Sequence, residues 1–246
     1  MQIRIYDNPA AAAVALARAI GDAIREQPAI VLGLATGRSP VAAYAELRRL
    51  RAKGALDWSS VTSFNLDEFA GIEAAHPGSF RRFMEEHLFG GVDIDRRRVH
   101  FLNGAAPDLD AECERYEAAI EAAGGIDLQL LGLGANGHIG FNEPGPALVA
   151  RTHRVRLHAV TRRENAALFG GDPNRVPAEA LSMGMATILQ ARRIVLVASG
   201  ARKARCVERM VRGPLTTRLP ASFLQTHRRV ELFLDRAAAS GLHGRT

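Results

Sequence analysis

The sequence has no long hydrophobic run and only two cysteines, and each shortage excludes a class of protein. No apolar segment approaches the roughly 20 residues of a membrane-spanning helix. Cys113 and Cys206 lie far apart without metal-ligand spacing, so we expect neither a disulfide framework nor a metal site. Residues 1–6 resemble a first strand, and no signal-peptide core follows them. These absences predict a protein of the reducing cytoplasm with no membrane partner.

Aromatic residues are also scarce, at 6% of the chain, which helps to decide whether the positive charge serves nucleic-acid binding. The net charge of +6 comes from 32 Lys and Arg against 26 Asp and Glu. The arginines form short, dispersed clusters at 96–98, 162–163 and 228–229, with no aromatic residues between them. We therefore expect no nucleic-acid partner, and interpret part of the positive charge as serving an anionic small molecule.

Short apolar runs alternate with amphipathic segments along the whole chain. The pattern predicts strands at 1–6, 29–34, 61–66, 127–131, 193–198 and 230–234, and helices at 41–53, 108–123 and 201–211. Such alternation is typical of an α/β, Rossmann-like fold, an open and mainly parallel sheet with helices on both faces. We expect one domain over residues 1–246, with the irregular stretch 143–177 as a mobile lid or, alternatively, an ordinary surface loop.

The most informative stretch is the glycine-rich loop 132–144, which follows the buried strand at 127–131. It carries His138 and, five residues later, Glu143. A histidine moves protons near neutral pH, and a nearby carboxylate fixes its tautomer and raises its basicity. In open α/β sheets, loops at the carboxyl ends of strands build active sites. Alone, such a loop is more typical of a tight turn with a solvent-facing histidine, but together with the motifs elsewhere in the chain it predicts acid–base chemistry.

A second strand end carries two adjacent carboxylates, Asp67 and Glu68. We expect one to face the crevice and the other to face solvent or a cation, because two buried charges would repel. A crevice carboxylate with a raised pKa can act as a general base.

Three further junctions are suited to phosphate. The loop 34–40 includes Gly37, Arg38 and Ser39, and we expect Ser39 to cap a helix that begins at Pro40. Lys203 follows the strand at 193–198, and Arg162 offers a guanidinium for bidentate contact. Alone, the loop 34–40 is equally typical of a capped helix start, and a lone Lys or Arg is usually a solvated surface charge. The prediction therefore depends on the accumulation of these signals at successive strand ends.

Together these motifs resemble the glucosamine-6-phosphate deaminase (isomerase) family, from about residue 30 to residue 234. The resemblance depends on Leu-Ala-Thr-Gly at 34–37, Asn-Leu-Asp-Glu-Phe at 65–69 and Gly-His-Ile-Gly-Phe-Asn-Glu-Pro at 137–144. Lesser matches lie at 176–177, 180–184 and 220–225. The resemblance implies ring opening, aldose–ketose isomerisation and loss of ammonia from an amino sugar phosphate.

The resemblance also implies a role for each site residue. Asp67 would move a proton between sugar carbons 2 and 1, His138 would open the ring, and Glu143 would orient His138. Asn136 occupies a position where other members carry Asp or Asn, and we expect activity to survive its loss of charge. The implied phosphate-binding residues are Gly37, Arg38, Ser39, Arg162 and Lys203. The reaction requires no cofactor and no metal.

Two departures and two alternatives remain at the sequence level. Residues 150–156 only partly keep the basic, hydroxyl-rich pattern of allosteric members, and the chain stops soon after its last strand, so we expect weak or absent activation by N-acetylglucosamine 6-phosphate. A non-catalytic sugar-phosphate sensor and a lactonase for a phosphorylated sugar lactone are the competing functions. The sequence leaves open the epimer of the substrate and the choice between monomer and homo-oligomer.

Overall fold

A seven-stranded parallel sheet forms the centre of the protein, and the computed structural model describes residues 1–242. The strand order is β1-β10-β9-β6-β2-β3-β5, and every neighbouring pair is parallel. The strands are β1 (Gln2–Tyr6), β2 (Val31–Leu34), β3 (Thr62–Asn65), β5 (Val99–His100), β6 (Leu128–Gly132), β9 (Arg193–Ala198) and β10 (Val230–Asp235). The predicted α/β class is confirmed.

The α-helices lie between these strands along the chain, and the strand order decides which face of the sheet each helix covers. They are α1 (Pro9–Glu26), α2 (Arg38–Ala52), α3 (Phe80–His87), α4 (Leu109–Ala122), α5 (Ala159–Asn165), α6 (Met185–Leu189) and α7 (Ala204–Arg212). In the strand order, β3 lies on one side of β2, whereas β10 lies on the opposite side of β9. Because parallel crossovers are right-handed, α2 and α7 pack on opposite faces of the sheet. No helix within residues 1–242 is long and apolar enough to span a membrane.

A second, antiparallel sheet was not predicted. It consists of β4 (Asp67–Phe69), β8 (Glu179–Ser182) and β7 (His153–Arg156), in the order β4-β8-β7. Its strands pack with the segment 143–177 around an aromatic cluster that includes Phe69, Phe80, Phe141 and Phe169. The segment 143–177 is therefore more regular than expected, since it contributes β7, α5 and buried side chains.

The predicted start of α2 was wrong by two residues. Gly37, not Ser39, is the N-cap, and the helix begins at Arg38. Gly37 has φ of +94°, a conformation that glycine adopts without the strain of a side chain. That turn lets the chain leave β2 and enter the helix at once. The predicted helix 201–211 is a 3₁₀ turn (Ala201–Lys203) followed by α7.

Candidate active site

The sequence-predicted residues lie at the carboxyl ends of the central strands. The loop after β2 carries Gly37, and Asp67 begins β4 two residues after β3 ends. The loop after β6 carries His138, and the turn after β9 carries Lys203. From β2 the chain continues to β3 and β5 on one side of the sheet, and from β6 it continues to β9 and β10 on the other side. The strands β2 and β6 are adjacent, so the strand order reverses between them. Such a reversal leaves a crevice outside the strand ends, where open α/β proteins bind their ligands.

The loop after β6 holds His138 close to the backbone. A Cβ on Gly134 would lie 2.4 Å from His138 Nε2, so only glycine allows the imidazole to pack there. The Gly134 N–H donates to the carbonyl of His138 at 3.0 Å, and the Gly137 N–H donates to that of Gly134 at 3.1 Å. The two backbone hydrogen bonds close the turn 134–138, and Gly134 packs against the imidazole, so the backbone and the ring of His138 are both held in place.

Glu143 lies opposite that imidazole, with Oε2 3.7 Å from His138 Nδ1. Burial by itself would raise the pKa of Glu143, but His138, the Thr161 hydroxyl and the Asn136 amide outweigh it and lower the pKa to about 2. Glu143 is therefore ionised at every pH of interest. A fixed negative charge facing Nδ1 favours the tautomer that leaves Nε2 free to exchange protons.

Asn136 joins these two residues. Its carbonyl accepts the backbone N–H of His138 at 3.1 Å, while its amide donates to Glu143 Oε2 at 2.9 Å. Only this orientation of the amide satisfies both contacts, because a carboxylate has no proton to donate. An ionised aspartate here would repel Glu143, so asparagine fits this site through its donor group.

Asp67 is the second acid–base candidate, and it is almost completely buried at 6% exposure. Its Oδ1 has no hydrogen-bond partner within the described part of the chain. Burial, with a smaller contribution from the charge of Glu68, raises the pKa of Asp67 to about 8. A carboxyl with such a pKa can both accept and return a proton near neutral pH.

Glu68 does not face solvent or a cation, so that expectation was wrong. Its carboxylate accepts the backbone N–H of Phe69 in β4 and those of Phe80 and Arg81 at the amino end of α3, all at 2.9–3.0 Å. Successive strand residues point to opposite sides, and the opposite side here is covered by α3. Glu68 therefore anchors α3 to β4 beside Asp67.

Asp67 also lies next to the histidine loop. Asp67 pairs with Ser182 across β4 and β8, and Ser182 Oγ accepts the Phe141 N–H at 3.0 Å. A Cβ on Gly140 would lie 3.9 Å from Asp67 Oδ2. The second sheet thus brings Asp67 next to the loop that carries His138 and Glu143.

Lys203 marks a cationic end of this region. Burial, opposed by the charge of Glu164, lowers the pKa of Lys203, and the positive charges of Arg202 and Arg38 lower it further. Lys203 Nζ lies 4.0 Å from Glu164 Oε1, so α5 approaches the turn after β9. Lys203 and Arg38, the first residue of α2, are the two cations that suit a dianionic phosphate here.

The structure gives Arg162 a different set of partners from those predicted. Its guanidinium donates to the carbonyls of Val176 and Asn174, both at 3.2 Å. Those contacts tie α5 to the turn before β8. Its role as a phosphate ligand stays a prediction.

Sequence reasoning missed the partners of Glu143 on α5. Thr161 Oγ1 donates to Glu143 Oε1 at 2.5 Å, and the His158 N–H donates to the same oxygen at 3.1 Å. Thr161 directly precedes Arg162 in the sequence, but no pattern there indicates that it faces the glycine loop. Residues 1–242 hold no cluster of three His, Cys, Asp or Glu side chains arranged to bind a metal ion.

A buried carboxyl, an imidazole and cations at neighbouring strand ends suit an α/β protein that performs acid–base chemistry on an anionic small molecule. The chain belongs to the family described as glucosamine-6-phosphate isomerases/6-phosphogluconolactonase, whose profile matches residues 7–233. A glucosamine-6-phosphate deaminase of Rhodopirellula baltica is 49% identical over 245 residues, covering 100% of this chain and 97% of that protein. Glucosamine-6-phosphate deaminase 2 of Bacillus subtilis is 48% identical, over 91% of this chain and 90% of that protein.

Solved structures agree with this membership. A monomeric glucosamine-6-phosphate deaminase superposes with a TM-score of 0.95 at 41% identity, covering 98% of this chain and 100% of that one. A 6-phosphogluconolactonase from Thermotoga maritima has a TM-score of 0.74 at 20% identity, covering 95% and 98% of the two chains. The second likeness shows the shared fold alone.

Proposed function

We propose that this protein converts glucosamine 6-phosphate and water into fructose 6-phosphate and ammonia. His138 moves a proton between the anomeric hydroxyl and the ring oxygen, which opens the sugar ring. Asp67 then takes the proton from carbon 2 and returns it to carbon 1, while the carbonyl oxygen at carbon 1 gains a proton and the amino nitrogen loses one. These transfers leave a hydroxyl at carbon 1 and an imine at carbon 2, and water hydrolyses the imine to the ketone and ammonia.

The observation that carries this proposal is the pairing of two acid–base groups with different environments at one set of strand ends. Asp67 is buried, with its pKa raised to about 8, and therefore exchanges protons with a neighbouring carbon acid. His138 faces the ionised Glu143, which supports an imidazole that carries a proton in the transition state. Isomerisation of a sugar requires both a ring-opening group and a carbon base.

The test is ammonium release when purified protein is mixed with glucosamine 6-phosphate, with galactosamine 6-phosphate and a phosphorylated gluconolactone assayed in parallel. Equimolar ammonium and fructose 6-phosphate are expected from the glucosamine substrate. Lactone hydrolysis without ammonium would make the protein a lactonase. Binding of the phosphosugar without any product would make it a sensor.

We also propose the cellular and molecular setting of this activity. Both Cys113 and Cys206 are buried free thiols, which suits a reducing cytoplasm. We propose one domain in which the segment 143–177 covers the site, because α5 in that segment contacts Glu143.

Replacing Lys203 by alanine should weaken substrate binding more than turnover. The ammonium group supplies a charge-assisted contact to the phosphate, worth about 1.5–3 kcal/mol. We expect KM for glucosamine 6-phosphate to rise about 10-fold or more, with kcat within a few-fold. Arg202→Ala is the matched control, since that cation lies on the same 3₁₀ turn but is exposed. An unchanged KM in Lys203→Ala would remove Lys203 from the phosphate site.

Saturation curves should be hyperbolic both with and without N-acetylglucosamine 6-phosphate. Two of the three arginines in the stretch 150–156 already have carboxylate partners, because Arg151 pairs with Glu117 and Glu121, and Arg154 pairs with Glu179. An anionic effector therefore meets little free positive charge on these side chains. A sigmoidal curve that the acetylated sugar phosphate makes hyperbolic would refute this expectation.

A further inference from the structure

The two oxygens of Glu143 are held by different parts of the molecule. Oε1 accepts the Thr161 hydroxyl at 2.5 Å and the His158 N–H at 3.1 Å, both from the start of α5. Oε2 accepts the Asn136 amide at 2.9 Å and lies 3.7 Å from His138 Nδ1. One oxygen is therefore fixed by α5, and the other is presented to the imidazole.

We propose that Thr161 is a positioning residue for the reaction: its hydroxyl holds Glu143 so that Oε2 stays opposite His138. The proposal rests on the proposed function and names a residue that acts through Glu143. Thr161 is fully buried and Glu143 is 9% exposed, so solvent has little access to replace the lost donor. A carboxylate held at both oxygens cannot rotate, and its direction decides which imidazole it supports.

A loosened Glu143 has a competing partner. The imidazole of His158 is half-exposed, and its Nδ1 lies 3.6 Å from the same Oε2 that faces His138. Without the Thr161 hydroxyl, the carboxylate is free to turn toward this second ring. The charge that supports His138 would then be divided between two histidines.

The same short helix also reaches the cationic end of the site. Glu164 of α5 lies 4.0 Å from Lys203, and Arg162 ties α5 to the carbonyls of Asn174 and Val176. Anchored at three points, α5 is a rigid support for the Thr161 hydroxyl. The position of Glu143 therefore depends on a contact outside the glycine loop that carries His138.

The test compares Thr161→Val, which keeps the shape and removes the donor, with Thr161→Ser, which keeps the donor. We expect Thr161→Val to lower kcat about 10- to 100-fold, with KM within about 3-fold of wild type. Thr161→Ser should stay within about 3-fold in both. The matched control is Thr187→Val, because Thr187 is also buried and donates to a buried carboxylate, Glu117, at 2.6 Å, between two helices without site residues. That control should lose stability and keep kcat.

Nitrogen NMR of the His138 imidazole at one fixed pH gives a readout that does not depend on activity. We expect the Nδ1 and Nε2 signals to move in Thr161→Val and to keep their wild-type positions in Thr161→Ser and Thr187→Val, because only the first variant displaces the charge of Glu143 from Nδ1. An unchanged kcat and unchanged imidazole signals in Thr161→Val would overturn the inference, as would an equal loss of kcat in Thr187→Val. A wild type that releases no ammonium would sink the proposed function instead, and the imidazole signals would still decide the role of Thr161.

Discussion

Asp67→Asn should abolish turnover and leave phosphosugar binding intact. A positioned general base contributes about 10²- to 10⁴-fold to a proton transfer, and asparagine cannot accept the proton from carbon 2. We expect kcat to fall about 10³-fold or more, with the dissociation constant of glucosamine 6-phosphate within about 3-fold. Steady-state ammonium release and calorimetric titration of the inert variant measure these two quantities. Equal losses of binding and turnover would contradict the assignment of Asp67 as the base.

The raised pKa of Asp67 adds a pH signature to the same variant. Because burial raises its folded pKa to about 8 from 3.8, the folded state holds a proton that the unfolded state releases between these values. This group therefore makes the free energy of unfolding decrease as pH rises through that window. Denaturant titrations should show this decrease in wild type and a weaker one in Asp67→Asn. The kcat/KM of wild type should rise as pH increases through about 8, since the base must be ionised.

His138→Gln should produce a different kind of loss. Glutamine hydrogen-bonds but does not titrate, so enzymatic ring opening disappears while Asp67 remains functional. We expect kcat/KM to fall about 10²- to 10⁴-fold. The open-chain sugar still forms spontaneously in water. The residual rate should therefore stop increasing with enzyme concentration once spontaneous ring opening becomes limiting.

His227→Gln is the matched control for that experiment. His227 contacts the carbonyl of Ala191 at 2.7 Å and precedes β10, at the end of the sheet opposite the site. Its replacement should leave kcat/KM unchanged. A His138→Gln variant with wild-type activity would show that ring opening does not use this imidazole.

The glycine loop and the strand ends could be predicted because their signals are local. A buried run of 127–131 followed by glycines indicates a strand and a turn, and the carboxyl ends of parallel strands meet at one edge of the sheet. Asp67 and His138 could therefore be assigned to the same region before their positions were known. Gly134 and Gly137 are positions where the fold leaves no room for a side chain.

The second sheet could not be predicted, because its strands depend on partners distant in the sequence. The strand β4 has three residues and pairs with β8, more than 110 positions later. Propensity says little for such short strands, since long-range pairing and burial decide them. Glu68 was misassigned for a related reason, since its side of β4 is covered by α3, which begins more than ten residues later in the chain. The Thr161 contact to Glu143 was missed for the same reason.

The central claim is that a single buried carboxyl moves a proton between two carbons of a sugar opened by an imidazole. Its most direct test is the conversion of glucosamine 6-phosphate labelled with deuterium at carbon 2, followed by NMR of the product. We predict fructose 6-phosphate with part of the deuterium at carbon 1, because Asp67 is shielded from solvent during the transfer. An aldose 6-phosphate with its deuterium still at carbon 2 would contradict the account, since ammonia would then leave without isomerisation.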